Sequence, residues 1–295
     1  MAELDVRLFG PGTVRHGDSE PRSTLTPGER ALLGYLVLHR GRSHRRESLA
    51  HLLWDDADEA CARNRLRTAL WRLRKTLEPG DALSGTYLIS PRRGEIQFRD
   101  GPGVWLDLSS VENAAHALQS CSVDDLTSRD VEEIEQDLAV YTGELLEGTD
   151  APWLLLARER YAQMFLNAQA KLLIWHAAAG EFAQAIEAGR RILELDPLRE
   201  EVHRALIRIY GQRGQRAQAI RQFQSLRLLL RTELDVTPLP ETIAVAAEAA
   251  NGTPPVGWEV ASALPDILDQ VERAREALDL AADELDRVRR LLSSN

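Results

Sequence analysis

The chain has 295 residues, 44% hydrophobic and 28% charged. At roughly 150 residues per domain that suffices for about two globular domains, and it excludes a fibre, a disordered tail or a small disulfide scaffold. The formal charge of −10 taken alone speaks against a nucleic-acid partner, but the charge is unevenly spread. Residues 1–100 hold 17 Lys+Arg against 14 Asp+Glu, and residues 60–99 hold nine against three, so one local basic face sits on an acidic molecule.

No run reaches the roughly 18 consecutive apolar residues of a membrane span. The start Met1-Ala2-Glu3-Leu4-Asp5 lacks the basic residues and apolar stretch of a secretory signal. The expected location is the cytoplasm. Cys61 and Cys121 form no CxxC pair, and both read as reduced, structural thiols.

Leu4-Asp5-Val6-Arg7-Leu8-Phe9 alternates apolar and polar residues and then meets Gly10-Pro11-Gly12, the pattern of a half-buried strand ending in a turn. Short strands are expected to continue through Thr13–Arg15 and Arg22–Leu25. Thr26-Pro27-Gly28-Glu29 combines an N-cap, a proline at the first helical position and a capping-box glutamate. That helix is expected to run to about Arg40, where Gly41 stops it. Ser43 reads as the start of a second helix reaching Trp54, and a third runs from about Asp58 to Leu77, ended by Pro79-Gly80. Thr86–Ser90 and Glu95–Phe98, joined through Pro91-Arg92-Arg93-Gly94, read as a β-hairpin.

Three helices followed by a hairpin, with a small sheet in front, is the order of a winged helix-turn-helix. On the third helix Ala62, Leu66, Ala69, Leu70, Leu73 and Leu77 fall on one side at 100° per residue, which makes that side the core face. The opposite face carries Asn64, Thr68, Trp71 and Lys75, flanked by Arg67 and Arg72, with Arg63 and Arg74 nearer the boundary. A solvated face normally intersperses both signs. Here Arg63, Arg65, Arg67, Arg72, Arg74 and Lys75 occur between Cys61 and Leu77 without one acidic residue, which favours a face built for phosphate and base edges. Trp71 suits a thymine methyl or a sugar, burial under the wing being the competing reading. Arg92 and Arg93 at the hairpin tip are candidates for the minor groove or its phosphates. Arg45 and Arg46, near the start of the second helix, are candidates for a phosphate contact.

From about residue 104 the pattern turns helical and repetitive. Gly180-Glu181-Phe182-Ala183-Gln184-Ala185-Ile186 returns as Gly214-Gln215-Arg216-Ala217-Gln218-Ala219-Ile220, an offset of 34 residues. That is the tetratricopeptide period, with glycine in the turn between paired helices and small alanines letting them approach. Asp196-Pro197 and Thr237-Pro238 close the two copies, and Val131–Leu146 and Trp153–Ala178 supply earlier helices.

Pro152-Trp153, Ala157-Arg158-Glu159-Arg160, the two repeat motifs, Asp196-Pro197-Leu198-Arg199-Glu200 and Leu234-Asp235-Val236-Thr237-Pro238 together resemble the bacterial transcriptional activator domain. Arg30-Ala31-Leu32-Leu33, Leu49-Ala50-His51-Leu52-Leu53-Trp54 and Arg72-Leu73-Arg74-Lys75 resemble the OmpR-like winged helix that precedes it. Over residues 4–248 the chain is similar to SARP-type (Streptomyces antibiotic regulatory protein) activators. The resemblance implies a nucleoid-associated transcription activator that binds direct repeats in double-stranded promoter DNA as a side-by-side dimer. It also implies recruitment of RNA polymerase through the sigma factor and other subunits. Carried over by position, Arg67, Thr68 and Trp71 would read bases while Arg72 and Lys75 hold the backbone. Trp71 stands where many relatives have a small polar residue, so the preferred sequence is expected to differ.

The expected architecture is mainly α. A winged helix-turn-helix (α+β) over residues 1–102 precedes a tetratricopeptide-like domain over 103–250, a linker over 251–263 and a long helix over 264–292. In that last segment Leu264, Val271, Leu278, Leu285 and Leu292 recur every seven residues, a coiled-coil seam suited to a homodimer. Folding of the same segment back onto the repeat domain is the competing reading.

No P-loop, GxSxG, HExxH or CxxC motif occurs, and the seven histidines are scattered without ligand spacing, so no enzyme, cofactor or metal site is expected. The acidic remainder of the chain is expected to stand off DNA and face polymerase. Two other readings fit the same residues: a helical-repeat adaptor that binds protein rather than DNA, and a sensor whose repeat groove binds a small ligand.

Overall fold

The computed structural model describes residues 4–17, 25–79 and 85–252. They divide into two compact units, one drawn from Met1–Asn113 and Gln136–Tyr161, the other from Ala114–Glu135 and Ala162–Asn295. The proposed strand at Arg22–Leu25 falls mostly outside the described residues, and the heptad seam from Leu264 to Leu292 falls wholly outside them.

In the first unit β1 (Leu4–Arg7) and β2 (Thr13–His16) form a hairpin in register Val6↔Val14. Gly10 and Gly12 make its turn at φ of +86° and +77°, a region that glycine enters without steric cost. On the other side of β1 lies β6 (Val104–Leu106), paired parallel with Leu4 opposite Val104. The sequence pattern predicts helix from about residue 104, but Val104–Leu106 is a strand. Three residues are too few to show a period, and only the pairing with β1 reveals it.

The winged helix is built from α1 (Pro27–Leu38), β3 (His44–Arg45), α2 (Arg46–Leu53), α3 (Glu59–Leu77), β4 (Leu88–Ile89) and β5 (Glu95–Phe98). The capping box of α1 is formed as expected, with Thr26 N–H donating to Glu29 Oε2 at 3.1 Å. Ser43 does not cap α2: a short strand intervenes, Arg45 is the N-cap, and the Ser43 hydroxyl donates instead to Glu95 Oε2 at 2.7 Å. In α3, Asp58 caps the first turn by accepting from Cys61 N–H at 2.8 Å. The expected inward residues Ala62, Leu66, Ala69, Leu70, Leu73 and Leu77 are all buried, in a core with Leu32, Leu36, Leu49, Ile96 and Phe98. The hairpin joins β4 and β5 with Leu88 opposite Phe98, and β3 adds to it with His44 opposite Ile96.

The same unit continues through residues that lie after α5 (Ser128–Leu138). A helix over Val131–Leu146 was expected, but α5 stops at Leu138. The chain then runs back beside the residues that follow β1, with Leu146 N–H to Leu8 O at 2.7 Å and Glu147 N–H to Gly10 O at 2.8 Å. Leu146 is fully buried against Gly34 of α1, where an added Cβ would lie 2.2 Å from its Cδ1. Arg30 and Arg158 tie this segment down through Pro11 O, Leu145 O, Leu146 O, Glu147 O and Thr149 O. Asp107, at the start of α4 (Asp107–Ser120), accepts from Leu8 N–H and Phe9 N–H at 2.6 and 2.8 Å. Burial pushes its carboxyl up to about 6.

The second unit is helical, drawing on α6 (Pro152–Ala178), α7 (Phe182–Leu195), α8 (Glu200–Gln212), α9 (Arg216–Glu233) and α10 (Pro240–Asn251). Gly180 and Gly214 occupy the turns before α7 and α9 at φ of +77° and +67°, which is why glycine recurs at that position of the repeat. Close approach follows from small residues: a Cβ on Gly189 of α7 would lie 2.8 Å from Leu206 Cδ2 of α8. Ala185, Ile186, Leu206, Ile209, Tyr210, Ala219, Val245 and Ala249 form the shared core. Buried His203 accepts from Gln222 Nε2 at 2.8 Å through Nδ1 and donates through Nε2 to Pro197 O at 3.0 Å. Burial holds it below the usual histidine range.

Candidate nucleic-acid interface

The outward side of α3 is open. Asn64, Arg67, Thr68, Trp71, Arg72 and Lys75 are all exposed on it. Trp71 is 57% exposed, so the wing does not cover it. The Lys75 ammonium lies 4.1 Å over the Trp71 ring, a cation–π contact that keeps the indole and a positive charge side by side. Arg67 donates to Asn64 Oδ1 at 2.7 Å, and the Thr68 hydroxyl donates to the Asn64 carbonyl one turn earlier at 3.1 Å, which leaves its lone pairs facing outward.

Three cations found acidic partners outside the window in which the sequence shows none. Arg63 pairs with Glu59 at 3.0 Å, Arg65 with Asp56 at 3.3 Å and Arg72 with Glu29 at 3.5 Å. The first two pairs are exposed and weak. The third is different, because Glu29 is buried and also closes the α1 capping box. Glu29, Trp54, Asn64, Thr68 and Arg72 line a cleft of about 260 Å³ between α1 and α3.

The other candidates lie on the wing side. Arg92 and Arg93 are exposed at the tip beside Gly94, whose φ is +83°. Arg45, opposite Glu95 in the β3–β5 ladder, is exposed as well. Arg46 is half-buried and turned to the hairpin: its N–H bonds Gly94 O at 2.9 Å and its guanidinium reaches Ser90 Oγ at 3.3 Å. It braces the wing more than it presents charge.

One residue that holds this arrangement carried no sequence signal. Glu78, the C-cap of α3, is buried and accepts from Gly85, Tyr87 and Leu88 N–H at 2.9, 2.8 and 2.8 Å. A helix-ending glutamate before Pro79 looks like surface charge in sequence, yet here its carboxylate fixes where β4 leaves α3. Cys61 and Cys121 are both free thiols, Cys61 half-buried and Cys121 exposed. Among the described residues no group of three His, Cys, Asp or Glu is arranged to hold a metal, and no helix is long and apolar enough to cross a membrane.

Fold and surface together define a winged helix-turn-helix regulator coupled to a helical-repeat domain. Residues 20–93 match the family described as transcriptional regulatory protein, C terminal, and residues 106–249 match the bacterial transcriptional activator domain. By this pair of domains the chain belongs to the SARP-type regulators. It is 31% identical over 227 residues to the regulatory protein AfsR of Streptomyces coelicolor, covering 76% of this chain but 22% of that protein. It is 26% identical over 226 residues to the transcriptional regulatory protein MoaR1 of Mycobacterium tuberculosis, covering 73% and 69% respectively. The chain thus spans about a fifth of the AfsR length. Among solved structures, Mycobacterium tuberculosis EmbR in complex with a low-affinity phosphopeptide superposes with a TM-score of 0.62 at 20% identity, over 95% of this chain and 72% of that one, and shows the same fold.

Proposed function

We propose that the chain is a sequence-specific, DNA-binding transcription activator of the cytoplasm that sits on promoter-proximal direct repeats as a homodimer and recruits RNA polymerase, its sigma factor included. The observation that carries the reading is the uncovered face of α3, where Asn64, Arg67, Thr68, Trp71, Arg72 and Lys75 stand together over a fully apolar inner face. A helix of 19 residues is ~28 Å long and fits the ~12 Å wide major groove. In this reading Arg67 and Thr68 meet base edges, and Trp71 contacts a thymine methyl or sugar. Arg72, Lys75 and Arg45 neutralise phosphate, and Arg92 and Arg93 reach the neighbouring minor groove.

The working division is a DNA-binding part over residues 1–102 and an activator part over 103–250. Quantitative binding of the full chain to duplexes of mapped promoter sites tests the roles. Replacing Arg67 or Thr68 by alanine is expected to relax base choice by about 1–3 kcal/mol at one position, whereas Arg45→Ala is expected to weaken all sequences alike. Identical behaviour of the two classes would overturn the assignment of the reading helix.

A further inference from the structure

The second unit carries a surface that its acidic composition hides. From residue 213 to 232 there are five arginines and no acidic residue. Arg213, Arg216, Arg221, Arg227 and Arg231 are all exposed, and none makes an ion pair among the described residues. At 100° per residue the four on α9 fall within an arc of ~140°, which also contains Leu228. The strip ends in an apolar rim where α9 turns into α10. Leu228 is 65% exposed, Leu234 54%, Val236 48%, Leu239 51% and Ile243 46%. These are five of the eight large hydrophobics left exposed in the described residues, so the apolar exposure is concentrated here rather than scattered. Leu239, the N-cap of α10, and Ile243 in its first turn are four residues apart, and Val236 N–H folds the connection back onto Leu230 O at 3.3 Å.

A basic strip with an apolar rim fits an acidic, amphipathic partner segment, and it does not suit bare nucleic acid, which has no use for exposed leucines. The chain itself contains such a segment. Between residues 259 and 286 there are nine acidic residues against two arginines, and Leu264, Val271, Leu278 and Leu285 repeat through it every seven residues. Its tether also allows the return. Gly252 closes α10, and the 12 residues from there to Leu264 reach up to ~40 Å when extended. The 12-residue α10 spans only ~18 Å, so the segment can come back past the whole of that helix to Leu239.

The geometry points to the surface formed by α9 and the α9–α10 turn as the docking site of this chain's own C-terminal segment, residues 264–292. Its leucine seam covers Leu228, Val236 and Ile243, and its carboxylates face Arg221, Arg227 and Arg231. The seam is then used within one chain and does not zip two copies together. This inference is independent of base reading by α3.

The test is photo-crosslinking in the full chain with p-benzoylphenylalanine in place of exposed Leu228, read by mass spectrometry. The expected product has the monomer mass and joins position 228 to residues within 264–292. It is lost in the Leu278→Asp, Leu285→Asp double variant, and it declines in the Arg221→Glu, Arg227→Glu, Arg231→Glu triple variant, whose altered side chains are solvent-exposed and keep the helix intact by circular dichroism. A product of twice the mass would assign the surface to a second copy. That outcome, or a crosslink that avoids 264–292 or ignores the seam variant, overturns the proposal.

Discussion

Removing the Glu78 carboxylate should unfasten the wing from α3. In Glu78→Ala the amides of Tyr87 and Leu88, on buried residues, lose their shared acceptor. A buried unsatisfied donor costs about 1–3 kcal/mol, so the two together cost about 2–6 kcal/mol. Glu78→Gln keeps one oxygen for that pair and gives up only the bond from Gly85, so its cost should be about 1 kcal/mol. Because the chain has two compact units, a single denaturation midpoint would blur the effect. Amide hydrogen exchange at Leu88 and Phe98 isolates it. At 1.4 kcal/mol per factor of ten, Glu78→Ala should lower their protection by at least ~30-fold and Glu78→Gln by roughly fivefold. DNA affinity should fall in the same order. Unchanged protection at Leu88 in the alanine variant would instead show that the wing is held by its apolar side chains alone.

Gly34→Ala places a methyl group 2.2 Å from Leu146 Cδ1. It should destabilise the first unit by about 1–3 kcal/mol, the usual range for overpacking, with exchange of the Leu146 and Glu147 amides accelerating first. Asp107 titrates near 6 when folded, above the ordinary ~3.9 of an unfolded aspartate. The folded state therefore holds the extra proton between about pH 4 and 6, and this group's contribution to stability is lost as pH rises through that window. The wild-type minus Asp107→Asn stability difference, followed by urea unfolding from pH 4 to 7, should fall with rising pH; a rise would contradict the assignment. Buried His203 has its folded pKa below the unfolded value. It should weaken the second unit as pH falls through ~6.5, and a His203→Gln variant should lack that acid limb.

Local chemistry made much of this legible. Thr26-Pro27-Gly28-Glu29 announces α1 because capping is a matter of four consecutive residues. The inward side of α3 is legible because six apolar residues share one period, and the 34-residue repeat because Gly180 and Gly214 each meet a left-handed turn. What sequence did not show depends on partners distant in the chain. β6 exists because β1 lies beside it, and α5 ends early because residues 144–147 pair with Leu8 and Gly10 after β1. The cationic window on α3 looked unopposed because Glu59, Asp56 and Glu29 lie outside it. Trp71 was ambiguous between wing-covered and free until its exposure was seen, and Glu78 was silent because a buried carboxylate and a solvated one are the same letter.

Residues 136–161 are built into the N-terminal unit, so the decisive binding experiment uses the whole chain. Its affinity for duplex promoter DNA should be measured from about 50 to 200 mM salt, alone and with Arg72→Ala or Lys75→Ala. Log K should fall linearly with log salt, and each substitution should reduce the slope by about one. A chain that fails to bind duplex at any ionic strength, or slopes that ignore both substitutions, would contradict DNA binding through α3.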